Sequence, residues 1–138
     1  MLEDIKTEIE QATQIRNRVQ NDCEFIWYRA SYTKLAISSS ATQILGLSRE
    51  KMLHSTSYSV DIFINTNTHG LILKIHNNPK TGCFKLSKTA IGSKSIHDSM
   101  LQYGYRPFQH CERLIPVSWS RDIKEDCWYV KFDLSGRK

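Results

Sequence analysis

Histidine, cysteine and carboxylate side chains are the residues of this chain that could carry catalysis. No G-x-S-x-G elbow, P-loop or G-x-G-x-x-G loop accompanies them. His110 and Cys111 are neighbours, but adjacent residues of a strand point to opposite sides, which argues against a cysteine–histidine catalyst. Glu125 and Asp126 are paired carboxylates in a polar turn, where simple solvation is the plainer role. The sequence therefore predicts a protein that is not an enzyme.

Metal ligation is also disfavoured by spacing. The five histidines never occur four residues apart, and the four cysteines form no C-x-x-C pair. Their wide separation indicates buried apolar thiols in a reducing compartment. We expect neither a metal site nor a cofactor, and a small metal-dependent nuclease is the alternative enzyme class.

The basic residues are distributed unevenly along the chain. Residues 1–24 carry six acids and three bases, whereas residues 25–97 carry nine bases and only two acids, Glu50 and Asp61. Such a segment attracts polyanions, although a solvated lysine-rich surface would look the same in sequence. We predict a nucleic-acid-binding face made of Arg29, Lys34, Lys74, Lys80, Lys85, Lys88 and Lys94.

The N-terminal segment predicts an amphipathic helix over residues 1–26. Its apolar residues follow alternating spacings of three and four, the pattern of a coiled-coil seam. The seam could pack on the rest of the chain or on a partner. Aromatic residues on or near predicted strands could stack on bases, anchor an interface or fill a core. The predicted partner-binding residues are Leu2, Ile5, Ile9, Trp27, Tyr28 and Trp128.

The remaining chain predicts a β-rich domain over residues 27–138. A strand over 25–30 precedes the strand Lys34–Ser38, a serine-capped helix that ends at Gly46, and a hairpin pairing 58–65 with 70–76. The strand Cys83–Lys88, a helix that ends at Gly104 and two strands within 112–134 then follow in the same order. We interpret this order as two units, 34–76 and 83–134.

These units define the predicted fold class. It is α+β, with an N-terminal helix followed by a small, mostly antiparallel β-barrel of two strand–helix–hairpin units. Two such units can bury each other's apolar faces and close each other's edges.

The stretch "KLAISSSATQILGL" followed by "YSVDIFINTNTHGLILKI" resembles the swapped-hairpin domain of AbrB/SpoVT-type regulators. In that family a strand leads into a short helix and a hairpin, and intertwined dimers bind DNA through basic residues. The resemblance implies a single-chain pseudo-dimer, with Arg29 and Lys34 on one DNA-binding face and Lys85 and Lys88 on the other.

We therefore expect a cytoplasmic nucleic-acid-binding accessory or regulatory protein, with DNA rather than RNA or with a host nucleoprotein as its partner. The polar, acidic N-terminus and the short apolar runs predict neither a signal peptide nor a membrane partner. The chain would be a monomeric pseudo-dimer or a homodimer through the N-terminal helix. The alternative is a phage or mobile-element inhibitor that binds a host defence nuclease, as anti-CRISPR proteins do, or a transcription complex.

Overall fold

A computed structural model describes residues 2–15, 25–29, 33–47, 58–77, 84–85, 90–92 and 94–138. Within these ranges, the chain forms two antiparallel sheets and three α-helices. The helices are α1 (Leu2–Glu10), α2 (Ser39–Leu45) and α3 (Lys94–Gln102), and a 3-10 turn spans Ser135–Arg137.

Sheet A is formed by two hairpins lying side by side. Strands β4 (Ser59–Asn65) and β5 (Gly70–His76) make the first hairpin, and β9 (Ser118–Asp122) and β10 (Cys127–Asp133) make the second. Antiparallel pairing of β5 with β10 joins them. The short strands β1 (Thr13–Ile15) and β6 (Phe84–Lys85) both pair with β4, at different points along it.

Sheet B is the smaller sheet. Its strand order is β7 (Ala90–Gly92), β3 (Thr33–Ile37), β2 (Phe25–Arg29) and β8 (Glu112–Leu114), and every neighbouring pair is antiparallel. The alternation of β3, with Leu35 and Ile37 buried, turns one face of this sheet toward the main core.

The three long strands of sheet A, β4, β5 and β10, bury residues on both of their faces. Val60 and Ile62 of β4 lie in the main core with residues of sheet B, α2 and α3. On the opposite face, Ile72 lies in a smaller cluster with Ile5 of α1. Sheet A is therefore the central layer, with α1 on one side and sheet B with two helices on the other.

Helix α2 begins at a serine cap, and both α2 and α3 end at a glycine. Ser38 caps α2, because its hydroxyl oxygen accepts the N–H of Ala41 at 3.2 Å. Gly46 follows with φ 65° and ψ 28°, and Gly104 follows α3 with φ 83°. These left-handed conformations are the helix stops that the glycines predicted.

Three features of the predicted fold are corrected. The helix predicted over 1–26 ends at Glu10, because Thr13–Ile15 extends instead to pair with Ile62–Ile64. The described strands form two sheets rather than a closed barrel. Within the predicted strand Cys83–Lys88, the described residues Phe84–Lys85 pair with β4, and a second strand, β7, precedes α3.

The hairpin predicted over 58–76 is confirmed. The strand predicted over 25–30 is present as Phe25–Arg29. Among the described helices, none has the length and apolar content needed to cross a membrane.

Candidate functional site

Two members of the predicted lysine face lie on different sides of sheet A. Lys74 is on the face that carries α1, where its Nζ lies 3.2 Å from Glu125 Oε1 and 5.6 Å from the ring centre of Tyr129. Lys94 is exposed at the start of α3, and α3 packs into the main core through Ile96 and Met100. Lys74 is therefore held in an ion pair with Glu125 of the same chain, and its side chain does not extend the surface around Lys94.

Three other predicted basic residues have a described backbone. Lys34 of β3 is the register partner of Gly92 of β7, two residues before Lys94. Arg29 ends β2 and pairs with Thr33, the residue that precedes Lys34 in β3. We call Arg29, Lys34 and Lys94 the basic end of sheet B. Lys85 lies in β6 at the edge of sheet A, and Lys80 and Lys88 lie outside the described residues.

The electrostatics at the start of α3 favour anions. No acidic residue occupies its first turn, and the helix is nine residues long. The first N–H groups of a helix lack intrahelical partners and carry the positive end of its dipole. The start of α3 therefore carries positive potential, to which the exposed Lys94 adds its charge.

Most of the predicted partner-binding residues pack inside the chain. Ile5 is buried against sheet A, and Leu2 and Ile9 pack on the same cluster. Trp27 is fully buried, with its ring 5.1 Å from that of Phe108 in an edge-to-face contact, so it is a core residue rather than a surface anchor. Trp128 is half-buried beside the main core, and the side chain of Tyr28 lies outside the described part.

An ion-pair network missed by the sequence lies beneath α1. The Nζ of Lys6 is 2.9 Å from Oδ2 of the buried Asp122. The other oxygen of Asp122 accepts the backbone N–H groups of Lys124 and Glu125. The hydrogen bond from Lys6 is the main reason that the pKa of Asp122 falls to about 2. The carboxylate thus fixes both α1 and the β9–β10 turn.

Glu125 extends this network across sheet A. Its two carboxylate oxygens accept hydrogen bonds from Lys74, at 3.2 Å, and from the Tyr129 hydroxyl, at 3.0 Å. Burial strongly raises the pKa of Tyr129, so the hydroxyl stays protonated and donates. The sequence analysis favoured simple solvation for Glu125, but its carboxylate links β5 to β10.

Together with Cys127, this network forms the only cluster of potential metal ligands among the described residues. Its sulfur and the carboxylates of Asp122 and Glu125 offer donor atoms that all lie within 4.8 Å of one another. Both carboxylates already pair with ammonium groups, which supply the positive charge that a cation would bring. Burial raises the pKa of the thiol, which disfavours the nucleophilic thiolate.

A second missed group lies beside this network on sheet A. His76 Nε2 is 2.9 Å from Asp61 Oδ2, and the other oxygen of Asp61 accepts from Gln14 at 2.8 Å. The period-two alternation of β5 places His76 on the face of Ile72 and Lys74, and could have grouped these three residues from sequence. The pairing with Asp61 and Gln14 is non-local and has no sequence signal.

The His110–Cys111 pair lies at the start of β8. Both residues are exposed, and Cys111 has a positive φ of 62° while its N–H donates to the Trp27 carbonyl. Cys127 is buried as predicted for the cysteines, whereas Cys111 is not. Cys23 and Cys83 lie outside the described residues.

Comparison of the chain with protein-family models, with curated proteins and with solved structures found no match in any of the three.

Proposed function

We propose that this protein is a non-enzymatic nucleic-acid-binding accessory or regulatory protein that contacts phosphates through the basic end of sheet B. The observation that carries the proposal is the pairing of Lys34 with Gly92, which brings β3 and the start of α3 together. Strand spacing puts the Cα atoms of Lys34 and Lys94 within roughly 10 Å of each other. Arg29 lies on the next strand at the same end.

Charge supports the same surface. The sequence has no acidic residue from Ile62 to His97, and the chain carries a formal charge of +5. A positive helix start beside lysines suits phosphate oxygens, which accept hydrogen bonds from both. Contacts of this kind position a protein on the nucleic-acid backbone without reading its sequence.

The finer architecture is also part of the proposal. We infer two like-built units, 34–76 and 83–134, whose hairpins are joined by the antiparallel pairing of β5 with β10. That arrangement agrees with the pseudo-dimer implied by the AbrB/SpoVT-type resemblance, whose members bind DNA. A cytoplasmic location would give such a protein access to DNA.

The decisive test compares two exposed lysines. Lys94 starts α3, whereas Lys124 lies in the β9–β10 turn, so Lys94→Ala and Lys124→Ala change the net charge equally. We expect Lys94→Ala to weaken binding to duplex DNA several-fold and to reduce the slope of log K against log salt by about 1, as does losing one phosphate contact. Lys124→Ala should leave both quantities near the wild-type values.

Fluorescence anisotropy of labelled duplex DNA across a salt series measures both quantities. Lys34→Ala, made alone and with Lys94→Ala, shows whether the two sites add. Absence of binding by the wild type at low salt, or equal losses in Lys94→Ala and Lys124→Ala, would contradict the proposal. The same series with single-stranded RNA distinguishes the two nucleic acids.

A further inference from the structure

We infer that β9 is a self-association edge, at which two copies of this chain pair antiparallel about a two-fold axis centred on Ser120. Strand β9 is the last strand of sheet A, and no strand in the described ranges pairs with its outer side. The corresponding outer strand of the first hairpin, β4, is covered by β1 and β6. An uncovered edge presents free N–H and C=O groups to another strand.

The hydrogen-bond pattern shows which groups face that edge. Leu134 N–H donates to the His69 carbonyl, and Asn77 N–H donates to the Asp126 carbonyl. The even-numbered residues of β10 therefore bond to β5, and the odd-numbered residues bond to β9. On β9 the residues bonded inward are Ser118, Ser120 and Asp122. The backbone groups of Trp119 and Arg121 consequently point to the open edge.

The backbone groups along this edge complement themselves. Pairing centred on Ser120 places Trp119 of one copy opposite Arg121 of the other, and each such pair can exchange both backbone hydrogen bonds. Within its own copy the Arg121 guanidinium binds Asp126 and the Cys127 carbonyl, and the Trp119 ring packs against the main core. The Trp119–Arg121 pairs therefore contribute backbone hydrogen bonds to the interface. Centring the axis on Arg121 instead would set Val117 of each copy opposite Glu125 of the other, so an apolar side chain would face a carboxylate.

The exposed apolar residues select the same register. Val117 and Ile123 flank β9, and their side chains are 60% and 84% exposed. The axis at Ser120 brings Val117 of each copy opposite Ile123 of the other, so both are covered at once. Reciprocal contacts of this type define a two-fold interface.

The expected association is modest. A five-residue strand pair falls short of the roughly 800 Å² per partner that stable dimers bury. Val117 also donates its N–H to the Lys131 carbonyl, forming a bulge opposite Lys131 that limits extension of the new ladder. Dimers should therefore form in a concentration-dependent way.

A charge-swap pair tests the register. In the variant Val117→Lys/Ile123→Lys, like charges would meet at both ends of the interface, and we expect a monomer. In Val117→Lys/Ile123→Glu, each lysine would meet a glutamate of the other copy, and dimerisation should return. Sedimentation equilibrium over a concentration series gives the mass. A wild type that remains monomeric to about 1 mM, or two double variants with the same mass, would overturn the inference.

A cysteine at the axis provides a second measurement. Opposite residues at the centre of the pairing have Cα atoms about 4.5 Å apart, which a disulfide can bridge. In a Cys111→Ser background, Ser120→Cys should form a disulfide-linked dimer on mild oxidation. Ser118→Cys, two residues from the axis, is the control and should crosslink much less. Equal crosslinking of the two variants would argue against this register.

Discussion

The buried carboxylate of Asp122 makes stability depend on acid. Its pKa in the folded chain is about 2, mainly because Lys6 donates to it, whereas an unfolded aspartate titrates near about 3.9. A depressed folded pKa contributes stability that is complete above the unfolded pKa and is lost as pH falls through the folded value. This residue therefore predicts an acid-sensitive window between about pH 4 and pH 2.

We expect Asp122→Asn to lose stability at neutral pH and to show a flatter decline in this window. The free energies of unfolding of wild type and variant should converge as pH falls toward 2. Urea unfolding at a series of pH values measures both curves. Asp98→Asn, on the exposed side of α3, is the control and should run parallel to wild type. Parallel curves for Asp122→Asn would show that the Lys6 pairing does not set the acid response.

The site residues predicted from sequence differ in outcome for a common reason. Lys94 is exposed as predicted, while Lys74 and Trp27 have partners far away in the chain, in Glu125 and Phe108. Charge and aromatic character can be read from one residue, but an ion pair or a core contact depends on residues that only the fold brings near. The network of Lys6, Asp122 and Glu125 was missed because its partners come from α1 and the β9–β10 turn.

At the level of elements, local signals were the reliable ones. Ser38 and Gly46 mark both ends of α2, and the residues Asn65–Gly70 mark the turn of the first hairpin, because caps and turns depend on neighbouring residues. The end of α1 could not be read in this way. The apolar spacing continues past Glu10, yet Thr13–Ile15 gains backbone partners from β4, a segment distant in sequence.

The stop of α2 at Gly46 provides a prediction for this element. No atom lies within 4 Å of a Cβ added there, so Gly46→Ala tests only the cost of the left-handed conformation. We expect a loss of about 1 kcal/mol in the free energy of unfolding. Gly136→Ala is matched, because its added Cβ also meets open space but its φ is not positive. Chemical denaturation of both variants is the measurement, and equal losses would contradict the backbone explanation.

For the whole molecule, the layer order was only partly predictable. The apolar alternation of β4 and β5 predicted a hairpin. Both strands bury residues on both faces, and this burial is expected in a closed barrel as well as in an open sheet that forms the central layer. The choice between them depends on where β1, β6 and α1 come to lie. Those short or amphipathic segments carry too little pattern to specify their docking.

A central sheet with two separate cores predicts how core substitutions combine. Ile72 and Ile75 lie on the same strand, but Ile72 shares the α1-side cluster with Ile5, while Ile75 belongs to the main core. Each isoleucine-to-alanine change should cost about 2–5 kcal/mol. Because residues in one cluster relax together, Ile5→Ala and Ile72→Ala should deviate from additivity by about 0.5 kcal/mol or more.

Ile5→Ala and Ile75→Ala, by contrast, should add within about 0.5 kcal/mol, because the sheet backbone separates their clusters. Two double-mutant cycles by urea unfolding measure both coupling energies, and Ile→Val versions replace any double variant that does not fold. Equal coupling in the two cycles would mean that α1 and sheet B stabilise a single shared core. Strong coupling in the Ile5–Ile75 cycle, with none in the Ile5–Ile72 cycle, would place α1 on the other face of sheet A.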